Sequence, residues 1–100
     1  MANFDITPVS NFNAADGDRT LNVMTCRNVC SQSISITVSK DGIIKSVIFN
    51  GGCQGNTTGI ASLCQGMTVK EAVRRLEGID CGGRGTSCPD QLARALKLFL

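Results

Sequence analysis

Two thiols bracket a glycine loop in Cys81-Gly-Gly-Arg-Gly-Thr-Ser-Cys88-Pro-Asp-Gln-Leu, and this is where the chain's chemistry concentrates. Ser87 is followed three residues on by Asp90, with Pro89 in the first turn, so Ser87 is expected to cap a helix whose first residue is Cys88. A helix N-terminus favours negative charge, and Arg84 can add positive charge nearby. Cys88 is thus a candidate thiolate, either as a metal ligand or as a nucleophile. Gly82, Gly83 and Gly85 permit positive φ, which lets the loop fold back and bring the sulfurs of Cys81 and Cys88 together. The same glycines offer a phosphate- or nucleotide-binding loop as an alternative at Gly82, Gly83, Arg84 and Gly85. Against that use, the stretch has no P-loop lysine and does not follow a strand pattern.

Four further cysteines extend the chemistry: Cys26, Cys30, Cys53 and Cys64. Cys64 falls on an apolar helical stripe, where a thiol acts as a small buried hydrophobe. The others border predicted elements. Cys30 precedes a strand, Cys53 lies between a strand and a helix, Cys81 follows a helix and Cys88 opens one. The ends of elements are where backbone turns can converge, so Cys30, Cys53, Cys81 and Cys88 are expected in one cluster. Cys26, spaced C-x3-C from Cys30, could supplement or replace it. Four thiolates suit tetrahedral zinc or an iron-sulfur cluster. Histidine is absent from the sequence, which removes Cys/His nucleophilic hydrolysis.

The elements that must place these thiols read as strands first and helices second. Ile34, Ile36 and Val38 alternate with Ser33, Ser35, Thr37 and Ser39, which predicts a half-buried strand. Asp41-Gly42 predicts a two-residue hairpin, and Ile44 to Phe49 the returning strand with Val47 and Phe49 inward. Leu21 and Val23 predict a short strand before them. A helix is expected from a cap at Asn56 or Thr57, with Ile60, Leu63, Cys64 and Met67 on one face and Gly66 as its stop. Thr68-x-x-Glu71 is a capping box that opens a second helix with Val69, Ala72, Val73 and Leu76 inward, ended by Gly78. The third runs from Cys88 to about the C-terminus, with Leu92, Ala95, Leu96 and Phe99 inward. The expected fold is α+β: a small antiparallel sheet of two or three strands with about three helices on one face. Residues 1–19 are polar and aperiodic and are expected as a poorly ordered lead-in to a domain over 20–100.

Composition bounds the rest. One hundred residues with four Phe and no Trp or Tyr make one modest core, burying roughly 60 to 70% of the surface of the unfolded chain. A metal or crosslink would supplement it. No basic stretch leads into an apolar run at the N-terminus, and no segment reaches the ~18 apolar residues of a membrane span, so a cytoplasmic protein is expected. In a reducing compartment clustered cysteines serve metals or redox chemistry more often than permanent disulfides. A net charge of +2 with no basic stripe argues against nucleic acid as partner.

These residues also carry a resemblance. Thr86-Ser87-Cys88-Pro89-Asp90 stands unbroken, together with Val29-Cys30-Ser31, Asp41-Gly42, Gly51-Gly52-Cys53-Gln54-Gly55-Asn56, Gly66-Met67 and Cys81 to Leu92. From about Met24 onward the chain resembles the TSCPD domain, in particular its small stand-alone four-cysteine members. That resemblance implies Cys30, Cys53, Cys81 and Cys88 as the four cysteines and leaves Cys26 and Cys64 as extras. The same domain occurs at the C-terminus of adenosylcobalamin-dependent ribonucleotide reductases. It therefore implies a metal-binding accessory module related to ribonucleoside-diphosphate reductase, or a thiol relay through Cys81 and Cys88 from a thioredoxin-like donor. One hundred residues have no room for that enzyme's catalytic barrel, so this chain alone is not expected to reduce ribonucleotides. A looser likeness over Val47 to Glu77 is to the U-type iron-sulfur assembly scaffolds, which implies the same α+β layout.

Overall fold

A computed structural model describes residues 5–26, 29, 31–52, 54–80, 82–83 and 85–100, with Gln54 described by its backbone. Four strands, β1 (Thr7–Asn13), β2 (Arg19–Met24), β3 (Ser33–Val38) and β4 (Ile44–Asn50), form one antiparallel meander in the order β1-β2-β3-β4. Three helices follow: α1 (Gln54–Cys64), α2 (Val69–Leu76) and α3 (Cys88–Leu96), the last running into a single 3-10 turn over Lys97–Phe99. The class is α+β as expected, with one strand more.

The alternation in β3 works as the period of two requires. Ile34, Ile36 and Val38 are fully buried, and the register aligns them in rows with the neighbouring strands: Val23, Ile34 and Phe49, then Leu21, Ile36 and Val47. Val69, Ala72, Val73, Leu92, Ala95 and Leu96 close over these rows to make one core. On the opposite face hydroxyl and amide side chains pair across strands, Thr20 with Thr37 at 3.0 Å and Asn50 donating to Ser33 at 2.9 Å. β4 departs from simple alternation, because Ile44 and Val47 are both buried although three residues apart. A bulge opposite Thr37/Val38 accommodates Lys45 and turns Ile44 back to the core.

Four local expectations change. Leu63, expected beside Cys64 on the apolar face of the first helix, is 78% exposed. β1 forms within the stretch expected as an irregular lead-in. It had no visible period because all seven of its residues are exposed and it contributes an edge rather than a core face. The β3–β4 connection is a three-residue loop, Lys40-Asp41-Gly42, with the Ser39 amide donating to the Ile43 carbonyl and Gly42 at φ +83°. α1 starts at Gln54, ahead of the anticipated cap at Asn56 or Thr57. The two preceding glycines, Gly51 and Gly52, both have left-handed φ, so the chain reverses within two residues after β4.

α2 and α3 begin where their caps predict. The Thr68 hydroxyl accepts from the Glu71 amide at 3.2 Å and the Ser87 hydroxyl from the Asp90 amide at 3.1 Å. Glu71 uses its carboxylate on Arg74 and Arg75, whose hydrogen bonds hold it down to about pKa 2.

Candidate functional site

One end of the sheet gathers the segments that flank the candidate thiols. The Thr25 amide donates to the Gln32 carbonyl at 3.1 Å, and the Gln32 amide to the Asn50 carbonyl at 2.7 Å. The ends of β2 and β4 are thereby fixed against the start of β3. The Thr25 hydroxyl also donates to the Ser31 carbonyl at 2.6 Å, closing the base of the 25–31 loop. Ser31 follows Cys30 in the chain, and Gly51-Gly52 precede Cys53.

The first turn of α3 meets this loop through side chains. Cys88 Sγ lies 3.3 Å from the Oγ of Ser31, and the Cys26 amide donates to Gln91 Oε1 at 3.0 Å. Gln91, fully buried, donates through Nε2 to Thr86 at 3.1 Å, and Thr86 donates to Asp90 Oδ2 at 2.5 Å. Asp90 also accepts from the Gly78 amide at 2.8 Å and from Arg94 at 3.0 Å. Burial pushes the Asp90 carboxyl upward, but the hydrogen bonds from Thr86, Gly78 and Arg94, with the Arg94 charge, outweigh it and hold the group below its ordinary value. Ser87 caps α3 and donates its own proton to the Ile79 carbonyl at 2.6 Å. The chain leaving α2, the glycine loop and α3 are thus tied into one polar unit, and no buried side-chain polar atom among the described residues lacks a partner.

The expected ligand set is only partly covered. Cys88 is half-buried at the helix start; Cys30, Cys53 and Cys81 lie outside the described residues, as does Arg84. Cys64 is buried in the core on α1, where burial pushes its thiol up. Among the described residues no group of three metal-ligating side chains occurs. The glycine loop brings a different result. The amides of Gly83 and Gly85 donate to Asp80 at 2.6 and 2.5 Å, so the loop encloses a carboxylate of its own chain and those two amides are not open to an external anion.

Sequence reasoning passed over four residues that shape this end: Ser31, Asp80, Thr86 and Gln91. Asp80 had a usable signal, since an aspartate just before a glycine loop commonly accepts amides a few residues on. Thr86 and Asp90 stand four apart, with Gln91 five residues after Thr86; nothing in that spacing reports that the Cys26 amide, beyond the end of β2, supplies the remaining partner.

The sequence matches the TSCPD domain over residues 12–100, nearly the whole chain, and the protein belongs to that family. No curated protein matches it. No solved structure does so either. The residues for which the family is named are, in this fold, mainly a brace: Thr86, Ser87 and Asp90 place α3, Pro89 stands in its first turn, and Cys88 remains at its head with a sulfur facing Ser31. No helix among the described residues is long and apolar enough to cross a membrane.

Proposed function

We propose that the chain is a metal-binding accessory module in which Cys30, Cys53, Cys81 and Cys88 hold one ion, zinc ahead of an iron-sulfur cluster. The family's occurrence at the C-terminus of adenosylcobalamin-dependent ribonucleotide reductases makes that class of enzyme the proposed partner, in a reducing, cytoplasmic setting. The observation that carries the reading is the 3.3 Å approach of Cys88 to Ser31. It joins the head of α3 to the residue directly after Cys30, while the Gln32 to Asn50 bond brings the segment leading to Cys53 to the same end. The donor set fits the group, since four sulfurs can satisfy tetrahedral zinc without histidine.

The ion would supply a crosslink between strand ends and helix starts, which a core of this size can use. The chain's residues do the placing: Ser87 and Asp90 fix the first turn that carries Cys88, and Thr25 and Gln32 fix the loop that follows Cys30. Metal binds the folded chain in preference to the unfolded one, so binding energy appears as folding energy.

Cys88→Ser tests this. Thermal melts of parent and variant, each with and without a strong chelator, accompany zinc and iron analysis of anaerobically purified protein. The expected result is about one bound ion per chain in the parent, chelator sensitivity, and a loss of several kcal/mol (on the order of 3 or more) in the variant. A metal-free parent indifferent to chelator, with a variant of equal stability, rejects the metal. It would favour thiol exchange between Cys81 and Cys88 with a thioredoxin-like donor.

A further inference from the structure

We propose that Ser31 is a positioning residue for the Cys88 sulfur, a fixed hydroxyl donor that orients it and lowers its reactivity in the bound site. The inference rests on the metal reading for its purpose but on geometry for its existence. Ser31 is only 3% exposed, and its Oγ is 3.3 Å from Cys88 Sγ. In the free thiol either group could be the donor. A metal-bound cysteine sulfur has lost its proton and can only accept, so the hydroxyl must then donate.

Ser31 is also held where such a donor is needed. Its carbonyl accepts from Thr25, and the next residue is bonded on both sides, to Thr25 and to Asn50. The backbone of Ser31 is therefore fixed at the start of β3 with its side chain buried, α3 is held from its own side by Ser87 and Asp90, and the Gln91 contact with the Cys26 amide ties the two together. Two braced elements aim one buried donor at one sulfur. Hydrogen bonds to a ligating atom draw electron density from it and tune both affinity and reactivity, with losses of about 10- to 100-fold in affinity when such partners are removed.

Cobalt(II), as a spectroscopic stand-in for zinc, provides the test with Ser31→Ala, Ser31→Thr and the parent. The alanine variant is expected to bind the same amount of cobalt, to shift the thiolate-to-cobalt charge-transfer band to lower energy, and to lose metal to a competing chelator about tenfold faster. The threonine variant keeps the hydroxyl and returns the band toward the parental position. A role in packing alone predicts the reverse order, because threonine adds a methyl group at a buried site. An unshifted band in a cobalt-loaded alanine variant overturns the proposal.

A second measurement separates this proposal from the metal reading. In chelator, the unfolding equilibria of Ser31→Ala, Cys88→Ala and the double variant form a cycle that reports the contact without metal. Coupling of about threefold or more in the equilibrium constant supports the hydrogen bond, and additivity rejects it. Should the parent take up no cobalt, the metal reading fails and Ser31 stands or falls on the cycle. Should chelated or alanine-substituted protein fail to fold, cobalt-loaded Ser31→Gly, which also lacks the hydroxyl, takes its place: a band at lower energy supports the donor, and a parental one removes it.

Discussion

The two ends of the sheet are built by opposite means. At the hairpin end the chain turns at residues 14–18 and 39–43 through backbone hydrogen bonds, with Gly17 and Gly42 in left-handed conformation, and is finished by an exposed ion pair between Lys45 and Asp18. At the other end Ser31, Thr86, Ser87, Asp90 and Gln91 are all buried polar side chains, and each is hydrogen-bonded. Turns can be made with short-range geometry alone. Buried polar side chains are costly unless every member finds its partner, and that makes them specify one arrangement. The difference teaches that this fold keeps its precision for the end where Cys88 sits.

The contrast is broken most severely at Asp90. Asp90→Ala leaves the Thr86 hydroxyl buried without its acceptor, removes the acceptor of the Gly78 amide and takes from Arg94 its Nε partner, leaving that guanidinium only Asp5 among the described residues. A loss of about 2 to 4 kcal/mol in denaturant unfolding is expected. The pH dependence follows the same carboxylate. Because its folded value is lowered, its contribution is present above the ordinary aspartate range and disappears as pH falls through the folded value. Asp90→Asn should flatten that acid limb, and an unchanged limb would show that other carboxylates produce it.

A middle-sized effect is expected from the cap at the hairpin side. Thr68→Ala removes the acceptor for the Glu71 amide and should cost about 0.5 to 2 kcal/mol, with thiol reactivity and metal content untouched. An unchanged denaturant midpoint would remove this cap from the account of α2. The smallest effect belongs to Lys45→Ala. Asp18 raises the lysine's affinity for its proton through a 2.7 Å contact, yet the ammonium is half exposed. Surface pairs of this kind contribute little and are screened by salt. If Lys45→Ala destabilised the protein as much as Asp90→Ala, the proposed contrast between the ends would collapse.

What the sequence determined by itself follows from short-range rules. Apolar alternation at Ile34, Ile36 and Val38 fixed β3 and its inward face, Thr68 and Ser87 marked the starts of α2 and α3, and the string from Thr86 to Asp90 carried the family. Each depends on residues within about one helical turn or one strand of each other, so one stretch of chain contains the whole cause. The tertiary structure decided what depends on partners far away. β1 has no core face, and only pairing with β2 makes it a strand. Lys45 bulges because β3 sets the register. Ser31 reaches Cys88 across 57 positions of sequence, and Gln91 reaches the Cys26 amide across 65. Such contacts arise only when sheet register and helix placement are both set, because a hydrogen bond tolerates only a few tenths of an ångström about its donor–acceptor distance, and no local pattern encodes that placement.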